Sequence, residues 1–539
     1  MNDDINPAGG DAHAEEDARH YRHAVDALNR GQWREAQRAS MELLRKHPSH
    51  AGVSFVAGVA ALQMEQVPLA LELLKRAMAL NPSRPDYLAQ CARALAMGRF
   101  GREAEETADR AFALQPQDAL TLDTLGVVYS QSNAHAKAAR AFGRAVELEP
   151  ARAGYRFNLA TSLTFAGRLD EAEREYEACL QVAPRYWKAW LALSQLRKQT
   201  ATDNHVERLR AALGGAGSDA LGQLYVNLAL SKELEDIGDY PRSFDHLVAG
   251  KHAHRRGRSY SSERDGRIFD ALMASRDAVA GGGEGHASSE PIFVVGMPRS
   301  GTTLVDRILS SHSAVSSAGE LQNFGVVLKR ASRSQTPHML DAETIAAATG
   351  LDWARVGAAY VESTRPGTGH RRHFVDKLPH NFLYAGFIAR ALPNAKIVCL
   401  RRDPMDVCLS NFRQLFALTS PYYDYSFDLM DTGRYYVMFE RLMAHWHAAM
   451  PGRILEVRYE ELVDNQEAVT RELVAWCGLD WEQACLRFED NQAPVATASA
   501  VQVRSPMFRT SLQRWKRYGD RMDELYRFLE SAGVVAGPR

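Results

Sequence analysis

Small apolar residues recur at a fixed interval along the first half of the chain. Counting 12 positions back from Pro48, Pro82, Pro116, Pro150 and Pro184 gives Ala36, Ala70, Ala104, Ala138 and Ala172. Counting 24 back gives Ala24, Gly58, Ala92, Gly126 and Ala160, and the prolines themselves are 34 residues apart. Two antiparallel helices that cross closely need small side chains at the crossing, and a proline closes the second helix of each pair. The spacing therefore predicts five helix–turn–helix units over about residues 17–186. The stretch from Leu224, LYVNLALSKELEDIGDYPRSFDHLVAGKHAHRR, reads as a further, less regular pair that carries the helical run to about residue 257.

The pattern then changes. Residues 276–290, RDAVAGGGEGHASSE, have no apolar period and predict a flexible linker. After it, PIFVVG (291–296) is a buried-strand run, followed by MPRSGTTLVDRILSSH, which turns helical by Thr303. A second run, KIVCL (396–400), leads through Arg401, Arg402, Asp403 and Pro404 into a helix, DVCLSNFRQLF. FVDK, ending at Lys377, and ILEVRYEELV (454–463) are strand-like as well. Short apolar runs alternating with helical segments predict an α/β domain with a parallel sheet.

Composition narrows the function. The 539 residues are 45% hydrophobic and 24% charged, as expected of a folded globular chain of two or three domains. With 65 Lys+Arg against 66 Asp+Glu the net charge is -1, so no global field draws in nucleic acid or an anionic membrane, and any basic site must be local. No apolar run reaches the roughly 18 to 20 residues a bilayer requires, and the acidic start MNDDINPAGGDAHAEEDARHY is unlike a signal peptide, so the expectation is a cytoplasmic protein. The six cysteines (91, 179, 399, 408, 477 and 485) lack CxxC pairs or zinc-ligand spacing and read as reduced core residues.

The chemistry concentrates where the first strand of the second half ends. Gly296 and Gly301 stand five apart, the spacing of a loop that cradles phosphate with bare N–H groups and a helix N-terminus. A nucleotidase P-loop requires lysine after the second glycine, and Thr302 occupies that position, which argues against ATP hydrolysis. Positive charge comes instead from Arg299, whose planar fork suits phosphate or sulfate oxygens.

Two resemblances follow from these motifs. AGYRFNLATSLTFAGRLDEAEREYEACLQVAPRY resembles the tetratricopeptide (TPR) repeat in period and pattern. PRSGTTL, with the two later motifs in the same order, resembles the sulfotransferases, especially the tyrosylprotein sulfotransferase branch, over residues 291–520. Together they imply an α-helical TPR solenoid followed by an α/β, P-loop-like, parallel-sheet sulfotransferase domain. The expected divisions are a flexible tail (1–16), repeats (17–214), further TPR-like pairs (215–275), the linker (276–290) and the sulfotransferase domain (291–539).

The second resemblance implies 3'-phosphoadenosine 5'-phosphosulfate (PAPS) as donor, 3'-phosphoadenosine 5'-phosphate (PAP) as product, and no metal. It places Arg299, Ser300, Gly301, Thr302 and Thr303 at the 5' end, and Arg402 and Ser410 at the 3'-phosphate. Tyr459, Gln502, Arg504 and Arg514 would lie near the nucleotide; the branch often has a further Arg where this chain has Gln414. Glu320, 21 residues after Arg299, matches the family's catalytic glutamate, and His380 in VDKLPHNF is the rival base. Lys377 and Ser499 resemble the groups that stabilise the transferring sulfuryl. The acceptor, a protein tyrosine, a carbohydrate or a small molecule, stays open. So does the homodimer, and so does the role of Trp33, Trp187 and Trp190, which either line a peptide groove or pack between helices. Two other readings compete: a TPR scaffold with an inactive nucleotide-binding domain, and a P-loop kinase or NTPase.

Overall fold

The computed structural model describes residues 12–275, 285–365, 367–491, 507 and 512–535. The chain divides into two compact units, Met1–Arg197 and Lys198–Arg539.

The first unit is helical throughout its described residues. Its antiparallel pairs are Ala12–Asn29 with Trp33–Lys46, Ala51–Gln63 with Val67–Leu80, and Pro85–Met97 with Gly101–Ala113. Ala119–Gln131 with His135–Leu148 and Ala153–Phe165 with Leu169–Val182 follow, then the single helix Trp187–Gln195. Every small residue picked out by the 34-residue period is buried, and each period proline falls just beyond the second helix of its pair. At Gly126 the reason for glycine is direct, because an added Cβ would lie 2.5 Å from the Phe142 ring of the partner helix. Trp187 and Trp190 are buried, with the Trp190 indole donating to the Pro184 carbonyl at 3.0 Å, so both pack between helices.

The second unit starts with helices Val206–Ala216, Ala220–Asp236, Tyr240–Arg255 and Ser262–Ala274. By contacts these four helices group with the sheet domain. Of the expected linker, 276–284 lie outside the described residues, and from residue 285 the chain is already tied down. The His286 N–H donates to the Ala391 carbonyl at 2.8 Å, and the Glu290 carbonyl accepts from Phe374 at 3.0 Å.

The sheet has five parallel strands, β1 (Pro291–Gly296), β2 (Val315–Ser317), β3 (His373–Asp376), β4 (Lys396–Arg401) and β5 (Ile454–Arg458), in the order β2-β3-β1-β4-β5. β1 lies between β3 and β4, paired Phe293 to Asp376 and Gly296 to Leu400, and is buried along its whole length, which explains its unbroken apolar run. All six cysteines are buried and free. Because the strands run the same way, the segments after β1, β3 and β4 emerge at one edge, where ligands bind in open α/β sheets.

Candidate active site

The loop after β1 holds its shape through two left-handed backbone positions. Arg299 has φ +68° and Gly301 φ +111°. A Cβ on Gly301 would sit 2.7 Å from the Tyr459 ring, so glycine is required by both conformation and space. The helix Thr302–Ser310 begins at once, with no acidic residue in its first turn and no side-chain cap from Gly301. Its first N–H groups therefore face the loop's concave side, as an anion site requires. Ser300 Oγ is buried there with no hydrogen-bond partner among the described residues.

Guanidinium groups converge on this loop. Arg299 donates to Ser410 Oγ at 3.3 Å, and Arg402 donates to the Arg299 carbonyl at 3.1 Å while stacking over Tyr459 at 4.6 Å. Burial, then the neighbouring charges of Arg402, Arg413 and Arg514, push the Arg299 guanidinium down to about 10. Like charges gathered in a buried cleft are costly unless anions join them; Glu235 joins Arg413 and Arg514, and Asp406 lies 3.9 Å from Arg402. The Asn411 amide donates to the Pro298 carbonyl at 2.7 Å, fixing the loop to the helix Pro404–Arg413 that carries Ser410.

Lys377 and Glu320 meet beyond the other side of the loop. Lys377 follows β3, its backbone N–H bonded to the Gly319 carbonyl at 2.9 Å, and its ammonium donates to Glu320 Oε1 at 2.5 Å. The lysine side chain is 2% exposed and the glutamate 37%, so the carboxylate is the member open to an incoming molecule. Behind them Asp306 is buried and bonded to Ser317 Oγ at 3.0 Å; burial pushes its carboxyl up to about 6 against the pull of Lys377.

A cavity of about 420 Å³ joins these groups, with Arg299, Thr302 and Thr303 at one end and Glu320 and Lys377 on its wall. Five rings, Phe416, Tyr384, Tyr422, Tyr423 and His380, also line it, among polar and aliphatic residues such as Gln322, Asn381, Gln414 and Leu415. Phe416 and Tyr423 stack at 4.3 Å. The His380 ring lies 5.1 Å from Tyr423 and 5.5 Å from Tyr422, with its Nε2 unpartnered among the described residues. Burial pushes its imidazole down to about 3, so it is neutral at physiological pH.

The structure thus gathers Arg299, Ser300, Gly301, Thr302, Thr303, Arg402, Ser410 and Tyr459 around one loop, and Glu320, Lys377 and His380 around the adjoining cavity. Ser499, Gln502 and Arg504 lie outside the described residues. Arg514 is near enough to act on Arg299, and its guanidinium pairs with Glu235 of the helix Ala220–Asp236 at 2.5 Å. Arg413 bonds the same carboxylate. Neither Arg413 nor Glu235 stands out in the sequence. Arg413 precedes Gln414, where the family often has arginine, and that adjacency was the available signal; nothing local marks Glu235.

Comparison with known proteins agrees with the geometry. Residues 291–483 match the sulfotransferase family, and residues 21–85 and 124–181 match the tetratricopeptide repeat. An uncharacterized protein of Aquifex aeolicus (strain VF5) is 32% identical over 402 residues, 72% of this chain and 52% of its own length. Protein-tyrosine sulfotransferase A of Caenorhabditis elegans is 25% identical over 251 residues, 43% of this chain and 63% of its own length. The chain thus spans between half and two thirds of these relatives. A thermophilic TPR protein of Thermus thermophilus aligns with 33% of this chain and 98% of its own at 21% identity, with a TM-score of 0.29. Among the described residues no helix is long and apolar enough to cross a membrane. The chain thus carries tetratricopeptide repeats over residues 21–85 and 124–181 and a sulfotransferase-family domain over residues 291–483.

Proposed function

We propose that the second unit transfers a sulfuryl group from PAPS to the hydroxyl of an aromatic acceptor, and that the repeats recruit or present the substrate or a partner protein. The observation that carries this reading is the convergence of Arg299, Arg402, Arg413 and Arg514 beside an uncapped helix start. A nucleotide with phosphate at both its 3' and 5' positions fits such a site. Arg402 and Ser410 are apt for the 3'-phosphate, while the loop N–H groups, Ser300, Thr302 and Thr303 suit the 5' end. The orphaned Ser300 Oγ is one buried group such a ligand would satisfy. Tyr459 supports the Arg402 guanidinium from below. When bound, PAPS supplies the activated sulfuryl group.

Glu320 Oε takes the proton from the acceptor hydroxyl. Lys377, ion-paired with it, balances negative charge that develops next to the carboxylate. We assign the proton to Glu320 rather than to His380, whose imidazole burial pushes down, and place the His380 Nε2 as a hydrogen-bonding group toward the acceptor. The aromatic wall favours a flat ring bearing the hydroxyl, which includes a tyrosine side chain, the acceptor that the name of the Caenorhabditis elegans relative specifies. Incubation with PAPS and either 4-nitrophenol or a tyrosine peptide, read by mass spectrometry, tests the proposal. Sulfated product from PAPS is expected. Phosphorylated product from ATP would favour a kinase, and no product from either donor would favour an inactive scaffold.

A further inference from the structure

Phe416, Tyr422 and Tyr423 of the cavity wall are carried by residues 414–427, an irregular stretch ending in the short 3-10 helix Pro421–Phe427. Carbonyls of such a stretch that no ladder or helix bond satisfies need other partners. They come from the helix Tyr240–Arg255 and the turn after it, which lie outside residues 291–483. Lys251 is fully buried and donates to the Gln414 carbonyl at 2.6 Å and the Ser426 carbonyl at 3.1 Å, so one ammonium joins both ends of the segment. Its charge also faces the Phe427 ring at 4.9 Å and the Phe412 ring at 5.9 Å. Arg258 bonds the Leu418 carbonyl and the Asp424 carboxylate, in the middle of the same segment. Arg255 bonds Asp428 at 2.6 Å and Asp431 at 2.5 Å, anchoring the helix that follows.

An apolar side chain would fill the Lys251 position at lower solvation cost, since a buried ammonium is weak evidence for stability. What the lysine adds is the fixed separation of two carbonyls that bracket Phe416, Tyr422 and Tyr423. The geometry points to Lys251 as a positioning residue for acceptor binding: with Arg258, it clamps the 414–427 wall from a helix outside the family domain. The inference rests on reading the cavity as the acceptor site. Lys251 touches none of the residues proposed to hold the nucleotide's phosphates, so its effect falls on the acceptor and not on the donor.

The test uses the full chain as wild type, Lys251→Met and Arg258→Gln, the second variant standing in if the first fails to fold. Hydrogen exchange of residues 414–427 is measured beside PAP affinity and the kinetics of 4-nitrophenol sulfation. Both variants are expected to speed exchange in the segment by at least about tenfold. The acceptor KM should rise by about tenfold or more while kcat stays within about threefold and PAP affinity is unchanged. Unchanged exchange with unchanged KM overturns the inference, as does a loss of PAP affinity with the segment still protected. Wild type that turns over no phenol counts against the proposed function alone, and the exchange result then decides the clamp by itself.

Discussion

Replacing Glu320 by Gln removes a negative charge and a proton acceptor while keeping shape and one oxygen that still accepts from Lys377. Two consequences differ in size. For stability, the Lys377–Glu320 pair at 2.5 Å has one member 37% exposed, so its worth is that of a screened pair, about 1 kcal/mol or less. For catalysis, a positioned general base contributes roughly 100- to 10,000-fold, which at about 1.4 kcal/mol per factor of ten is about 3 to 5 kcal/mol of barrier. A folded, PAP-binding variant with kcat reduced by at least about 100-fold is therefore expected. The assay is steady-state sulfation of 4-nitrophenol, with PAP titration calorimetry and a thermal melt on the same preparation. A fall in kcat smaller than about threefold would refute Glu320 as the base. A parallel fall in PAP affinity would instead make it an organiser of the anion site.

Four further outcomes follow from particular residues. Gly301→Ala must adopt φ +111° and place its Cβ 2.7 Å from Tyr459, the ring under Arg402; a cost of about 1 to 3 kcal/mol in urea melts and weaker PAP binding are expected. In the first unit, Gly126→Ala forces a methyl to within 2.5 Å of the Phe142 ring and should destabilise by about 1 to 3 kcal/mol. Gly143→Ala, with nothing within 4 Å in a helix interior, should gain about 0.5 to 1 kcal/mol in the same melts. Burial pushes the Lys251 ammonium down to about 7 from 10.5, with the two carbonyls and the phenylalanine rings acting the other way. Between those values the unfolded chain binds a proton that the folded chain lacks. Wild-type stability relative to Lys251→Met should therefore rise as pH increases from 7 toward 10, by at most about 1.4 kcal/mol per pH unit; a flat difference in urea melts at pH 7, 8 and 9 would contradict the burial argument.

The repeats were legible because close helix crossings impose small residues at a fixed offset from a chain-reversing proline, and residues such as Ala70 and Ala138 are buried where that offset puts them. The anion loop was legible for a similar reason. PIFVVG reads as a strand buried on both faces, and the glycines after it sit where Leu400 and Tyr459 leave no room for a side chain. β2 escaped notice because three residues cannot display a period. For the helices from 206 to 274, amphipathic spacing reports that a face is buried, not what covers it. Glu235 and Lys251 on those helices, and Arg258 in the turn between two of them, are ordinary polar residues in sequence. Their partners stand more than 150 positions away, beyond the reach of any local pattern.

Thermal-shift titration with PAP, beside ATP and ADP at matched concentration, on wild type and Arg402→Ala, addresses the anion site itself. A ligand that binds only the folded state stabilises it by about 2.7 kcal/mol at 100 times its Kd. A clear upward shift with PAP, little from ATP, and loss of the PAP shift in Arg402→Ala is the predicted result. No shift with PAP, or a shift from ATP that survives the substitution, would contradict the assignment of this cleft to a 3'-phosphorylated sulfuryl donor.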